Sequence, residues 1–222
     1  MTSKTETPRV LLKWRKLLTQ LALGLVSGVV VGYGAGYLAG HYLEARGLKD
    51  LPPSVEIAGL VAVLYIFVSV LVLAGSVSPA IGARILNVED ADEVREMHGQ
   101  FVSSGVAMLL WGLALLALAL AAPVGPLQAP AALAIGAGGL LIGLWFAFKS
   151  YRNSDELMLS MNLEAGAVTY GLVVVVLGGW AMLAHLGYAA APAPLTILSL
   201  FYVLVLVASF IAIGRRGMLM PR

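Results

Sequence analysis

The stretch IAGLVAVLYIFVSVLVLAGSV, residues 57–77, contains neither a charged side chain nor a proline. A run of this length is long enough to cross the roughly 30 Å hydrocarbon core of a bilayer as a helix. Similar windows occur at residues 17–43, 101–123, 130–148, 165–187 and 195–214. The six windows take up most of the 222 residues, so the sequence predicts one integral membrane domain, 1–222.

Composition supports the same class of protein. Hydrophobic residues make up 60% of the chain and charged residues 12%, against about 25% charged in soluble domains. Transmembrane barrels show short alternating segments, whereas these runs are continuous, and helices satisfy their own backbone groups in lipid. The first window is too long for a cleaved signal, so we expect it to be retained as a span. The predicted fold is an all-α polytopic bundle of six transmembrane helices.

The distribution of basic residues predicts the orientation of the chain. Twelve of the fourteen Lys and Arg residues lie in the two tails or in the loops after the second and fourth spans. Only Arg46 and Lys49 fall on the other side. The positive-inside rule then places both termini in the cytoplasm, which implies a bacterial inner membrane. Because the positive charge is a topology signal, it gives no support to a nucleic-acid partner.

The first window has glycine at every fourth position. This small-xxx-small spacing lets a neighbouring helix approach closely. A four-residue step drifts about 40° per glycine around the helix, so the stripe is expected to face two neighbours. We therefore predict helix packing within a homo-oligomer or membrane-protein complex, and expect Gly32→Leu to disrupt folding or assembly more than Gly24→Leu. The predicted packing residues are Gly24, Gly28, Gly32, Gly36 and Gly40.

The two inner loops are acidic and similar to each other. Asn87 is expected to cap a helix in the first loop, and Asn153 has the capping-box spacing to Glu156 in the second. The shared pattern indicates a parallel repeat of spans 2–3 and 4–5. The acidic residues are either solvated helix starts or contacts for basic groups of a partner. The candidates are Glu89, Asp92, Glu93, Asp155 and Glu156.

The spans contain few ionisable groups, and none lies at the centre of a span. This argues against a proton relay or a voltage sensor, both of which need charges inside the membrane. Glu164, at the inner boundary of the fifth span, is a further candidate for a polar contact. We expect Arg152 or Lys149 to pair with it.

Two sets of residues are candidates for metal binding. His41 and His185 are expected at similar depth near the outer surface, where two imidazoles can ligate a haem iron; the alternative is that both lie in the wet interface beside tyrosines. Glu44, Asp50 and Glu56 offer oxygen ligands for a hard cation, or are ordinary solvated loop residues. The favoured interpretation includes no cofactor and no metal.

The segment VVGYGAGYLAGHYLEARGLKDLPPSVEIAGLVAVLYIF resembles the two-span accessory proteins encoded beside bacterial ATP synthase. The resemblance covers about the first quarter of the chain and includes the glycine series and the acidic residue after it, Glu44. It implies an accessory role and does not extend to the later spans. The segment SDELMLSMNLEAGAVTYGLVVVVLGGWAML is similar to uncharacterised bacterial membrane proteins, which implies no activity.

These observations favour a non-enzymatic membrane protein that acts as an accessory, assembly or regulatory subunit. Hydrolase elbows, zinc-protease motifs, P-loops and dinucleotide-binding patterns do not occur. The alternative is a small ion or solute transporter, whose cavity would be lined by Ser27, Tyr33, Thr169 and Tyr170. An enzyme acting on lipid is a third hypothesis.

Overall fold

The computed structural model describes residues 51–86, 88 and 90–217, together with residues 29, 32–34, 36, 37, 40 and 41 of the first predicted span. The described residues of that span are helical. Helices account for almost all regular structure in the described part of the chain, where pairing of extended backbone is limited to a single bridge between Ala121 and Leu127.

The helices between residues 51 and 217 are labelled in chain order. They are α1 (Pro53–Val77), α2 (Pro79–Ile85), α3 (Ala91–Glu96), α4 (His98–Ala119), α5 (Ala129–Arg152), α6 (Glu156–Val173), α7 (Gly179–His185) and α8 (Pro194–Arg215). A π-helical turn, Val174–Gly178, joins α6 to α7 without a break, so Glu156–His185 forms one long helix.

Five of these helices are long and apolar enough to cross a membrane: α1, α4, α5, the helix Glu156–His185, and α8. They confirm the prediction of a helical, multi-pass membrane protein for the second to sixth windows. The first window, residues 17–43, lies mostly outside the described residues, as do both ends of the chain. The first span, which would bring the total to six, and the cytoplasmic placement of the termini therefore stay predictions.

The five long helices pack in the order α5, α4, α1, α8, α6. Helix α4 lies between α1 and α5, while α8 connects α1 to α6. Helices α5 and α6 are consecutive in the chain but diverge after their short connection and do not form a packed pair. The close pairing of the second and third spans is therefore not repeated by the fourth and fifth.

Glycines allow the closest approaches in this bundle. A Cβ atom added at Gly112 of α4 would lie 3.1 Å from the carbonyl oxygen of Ala62 on α1. A Cβ atom added at Gly139 of α5 would lie 2.9 Å from the carbonyl oxygen of Leu110 on α4. Because both obstacles are backbone atoms, small residues at these positions set the spacing of α1, α4 and α5.

The ends of two helices differ from the predicted windows in opposite directions. Helix α6 begins at Glu156, well before the apolar window that starts at residue 165. Helical hydrogen bonding continues past the membrane boundary because polar residues also form helices. The third span ends early, at Ala119 rather than 123, since Ala122 precedes Pro123 and is thereby disfavoured as a helical residue.

The predicted caps were wrong in both inner loops. The carboxylate of Asp90 caps α3 by accepting hydrogen bonds from the backbone N–H groups of Asp92 and Glu93, at 2.9 and 3.0 Å; Asn87 itself lies outside the described residues. In the second loop Asn153 ends α5, and Asp155 caps α6 by accepting from Met158 N–H at 2.7 Å.

Candidate functional site

A chain of hydrogen bonds joins four helices near the middle of the bundle. The hydroxyl of Tyr65 on α1 donates to the carbonyl oxygen of Tyr202 on α8, at 2.8 Å. The hydroxyl of Tyr202 donates to the carbonyl oxygen of Trp111 on α4, at 3.1 Å. The indole N–H of Trp111 donates to the carbonyl oxygen of Leu140 on α5, at 3.3 Å. These three side chains form the aromatic chain, and each lies near the centre of its helix.

The aromatic chain is packed as well as hydrogen-bonded. The rings of Tyr65 and Tyr202 meet edge to face with centroids 4.9 Å apart, and both side chains are buried. Ala58, Ala62 and Leu115 are fully buried in the same cluster. An unpaired hydroxyl at this depth costs free energy, so the three donors stabilise one arrangement of the four helices.

Two buried serines near the aromatic chain are satisfied within their own helices. Ser69 and Ser199 are buried, and their hydroxyls donate to the carbonyl oxygens of Ile66 and Leu195. In such bonds the hydroxyl hydrogen is donated to the backbone of the same helix, so it is not available as a donor to a ligand. They do not form a continuous polar path.

The side chains predicted to line a transport cavity do not converge in the structure. Tyr33 and Tyr170 are 77% and 73% exposed on the outer surface of the chain, and the hydroxyl of Thr169 donates to the carbonyl oxygen of Ala165. Ser27 lies outside the described residues. A groove of about 270 Å³ does exist between α4 and α5, but its lining is apolar and includes Leu110, Ala114 and Ile142.

Among the five long helices that the structure describes between residues 51 and 217, Glu156–His185 is the least covered. It packs against α8, and none of its residues is buried. Four of its glycines have no heavy atom within 4 Å of an added Cβ, apart from the helix's own backbone. They are Gly166, Gly171, Gly178 and Gly179.

In the third turn of this helix, Glu164 forms ion pairs with two arginines at the end of α8. Its carboxylate lies 3.0 Å from Nε of Arg216 and 3.5 Å from Nη1 of Arg215. The predicted partners were therefore wrong. Lys149 lies over the ring of Trp145 on its own helix, and α6 leaves α5 to pack on α8, so the end of α8 supplies the positive charge.

The acidic candidates of the inner loops lie on the surface in the described part of the chain. Asp92 forms an ion pair with Arg95 of its own helix, and Asp155 caps α6. Glu156 is exposed in the first turn of α6, whereas Glu93 is half-buried. Glu89 lies outside the described residues. The structure does not bring the two acidic sets together into one site.

The two histidines proposed as haem ligands are both exposed. The ring of His41 stacks on that of Tyr37 with centroids 6.4 Å apart, and His185 lies in the last turn of α7. Neither a hydrogen bond nor a ring contact joins the two imidazoles. In the described ranges, His, Asp and Glu side chains do not cluster in a group that is able to hold a metal ion.

The predicted packing glycines are partly described. An added Cβ at Gly32, Gly36 or Gly40 would meet nothing within 4 Å outside its own helix backbone, so within the described residues these glycines contact no neighbouring helix. Gly24 and Gly28 lie outside the described residues. Whether this stripe packs against another protein stays a prediction.

The aromatic chain was not among the residues predicted from the sequence, although a signal was present. Tyrosine and tryptophan normally collect at membrane interfaces, whereas Tyr65, Trp111 and Tyr202 fall near the centres of their spans. The packing glycines Gly112 and Gly139 were not predicted either.

Comparison with known proteins adds no relative: no family model, no curated protein and no solved structure matches this chain.

Proposed function

We propose that this protein is a non-enzymatic, multi-pass protein of a bacterial inner membrane that serves as an accessory, assembly or regulatory subunit. It packs with itself or within a larger membrane complex. The proposal rests on one observation: the helix Glu156–His185 buries none of its residues, and α8 is its main neighbour among the long helices described.

The residues on that helix favour a protein partner over lipid alone. Glycine weakens a helix by about 1 kcal/mol relative to alanine, and that cost is offset where it permits close packing. Within the chain, Gly112 and Gly139 are used in this way. Gly171 and Gly178 have the same small surface but no neighbour within 4 Å, which supports contact with another helix.

The first predicted span provides a second surface of the same kind. Gly32, Gly36 and Gly40 are open in the described residues, and Tyr33 and Tyr37 beside them are exposed. The resemblance of this region to accessory proteins of bacterial ATP synthase supports an accessory role. Two open glycine surfaces on one chain fit a subunit that contacts more than one neighbour.

A transporter for a small ion or solute is the second candidate, and the π-helical turn Val174–Gly178 favours it. Such turns loosen a helix and often occur at functional sites. Thr169 and Tyr170 precede this turn on the same helix. The filled core around the aromatic chain supports the assembly role instead, since a solute needs space at that depth.

The test is purification of the full chain in mild detergent, with its mass measured by light scattering and copurifying proteins identified by mass spectrometry. We expect a complex larger than the monomer of 23.2 kDa. Gly32→Leu should dissociate it while leaving the monomer folded, because a side chain there meets no residue of the described chain.

Gly34→Leu is the matched control. Gly34 is equally open but lies about 200° around the same helix from Gly32. Equal complex size in both variants would contradict the proposed packing face. A wild-type monomer that transports a solute into liposomes would replace the assembly role with the transporter.

A further inference from the structure

We propose that Arg215 and Arg216, at the end of α8, form a binding site for the phosphate group of a membrane lipid headgroup. Arg216 is held in place by two contacts with α6. Its Nε donates to the carboxylate of Glu164 at 3.0 Å, and its Nη1 donates to the hydroxyl oxygen of Ser160 at 2.7 Å. Arg215 makes a longer contact, 3.5 Å, to the other oxygen of the same carboxylate.

Ser160 has a positioning role in this arrangement. Its hydroxyl donates to the carbonyl oxygen of Leu157 at 2.7 Å, so its hydrogen is used and its lone pairs face Arg216. Ser160 therefore orients the guanidinium and is not itself a donor to an anion. Only 30% of the Arg216 side chain is exposed, which fits a group fixed before a ligand arrives.

The charges of the site do not balance. One carboxylate faces two guanidinium groups, each with five N–H donors. Glu156, one turn before Ser160, is exposed and forms no ion pair with either arginine among the described residues. The side chain of Arg215 is 67% exposed, so its remaining donors are open to an anion from outside the protein.

The position of the site selects the anion. Helix α8 has 22 residues and is about 33 Å long, which matches the hydrocarbon core of a bilayer. Its last residue, Arg215, therefore lies at the headgroup level, whichever way the chain is oriented. Lipid phosphates are concentrated there, and the planar fork of arginine matches their geometry.

Helix α6 extends the site beyond the membrane boundary. It begins at Glu156, two turns before Glu164, so its first residues stand past the level of the two arginines. A headgroup bound to Arg215 would lie beside this projecting turn. The inference goes beyond the proposed function, since it requires only that α6 and α8 cross a bilayer.

The experiment measures lipid binding to the purified full chain. Phosphatidylglycerol is titrated into the delipidated protein in mild detergent, and bound lipid is counted by native mass spectrometry. Arg215→Gln should lower the apparent affinity about tenfold, because it removes the charge-assisted hydrogen bonds of this guanidinium to the lipid phosphate. Arg152→Gln, at the exposed end of α5, is the matched control and should leave the affinity unchanged.

A second variant separates binding from folding. Glu164→Gln removes the competing carboxylate and should strengthen lipid binding, whereas damage to the fold would weaken it. Inorganic phosphate at 10-fold excess over the lipid should not displace it; displacement would support the phosphate chemistry and assign a soluble source. Equal affinity of wild type and Arg215→Gln, or weaker binding by Glu164→Gln, would overturn the proposal.

Discussion

At the residue scale, glycines and aromatic side chains hold the described helices together in different ways. Gly112 and Gly139 let backbones approach, while Tyr65, Trp111 and Tyr202 tie helices together by donating to backbone carbonyls. Close packing and interhelical hydrogen bonds are the main attractions between helices in lipid. The stability of the bundle should therefore respond to both kinds of residue.

Removing the hydroxyl of Tyr202 should destabilise the bundle. Tyr202→Phe leaves the ring against Tyr65 but loses the bond to Trp111, which we expect to cost about 1 kcal/mol. Reversible unfolding in mixed micelles measures the change. Tyr188→Phe, at a side chain that is 80% exposed, is the control; equal losses in both variants would contradict a specific role for the hydroxyl.

Adding one methyl group to Gly112 should force α1 and α4 apart. The new Cβ would lie 2.8 Å from Cγ1 of Ile66 and 3.0 Å from its backbone nitrogen, so the backbone must move. We expect Gly112→Ala to lower the free energy of unfolding by about 1–3 kcal/mol. Gly59→Ala, with open space around it on α1, should be neutral or stabilising. A neutral Gly112→Ala would show that the two helices are not in close contact.

Sequence alone identified the residue types but not all of their positions. The glycine series Gly24–Gly40 stands out because of its regular step, yet the close contacts described here involve Gly112 and Gly139. Spacing along one helix shows that a small face exists. Which face meets a neighbour depends on how the helices are arranged in space, which the sequence does not give. The aromatic chain was not predicted for the same reason.

At the element scale, the helices were predictable and their ends less so. Apolar runs locate a span, but a helix continues into polar residues beyond the membrane, as α6 does at Glu156.

The sequence offers two candidates for the cap of α6, Asn153 and Asp155. The structure uses Asp155 because Asn153 already ends α5 with its backbone N–H bonded to Lys149 and Ser150.

The choice of cap is testable in α6. Asp155→Ala should cost about 1 kcal/mol, because the backbone N–H of Met158 loses its acceptor. Asn153→Ala should have a much smaller effect, since its side chain caps neither helix in the structure. Amide hydrogen exchange at the first turn of α6 would report the difference; faster exchange in Asn153→Ala than in Asp155→Ala would restore the capping box.

The partner of Glu164 also depends on element arrangement. Arg152 and Lys149 are nearest in sequence, but α6 turns away from α5 and packs on α8, which brings Arg216 to the carboxylate. Neighbours in sequence predict neighbours in space only when consecutive helices pair. A three-residue connection does not guarantee such pairing.

At the scale of the whole molecule, the long helices form a row with unequal coverage. Helix α4 has neighbours on both sides, whereas the helix Glu156–His185 at one end packs mainly against α8. Composition and window length established the membrane class and the second to sixth spans. The order of the row was not predictable, because every span is apolar on most of its surface.

The most direct test of the account is whether another protein covers the helix Glu156–His185. A photo-crosslinking amino acid is placed at Tyr170, which is 73% exposed, and irradiated in intact membranes. Leu141 on α5, which is 69% exposed, is the control position. We expect a discrete crosslinked protein band from position 170 and none from position 141. Crosslinks to lipid alone at both positions would contradict the assembly role.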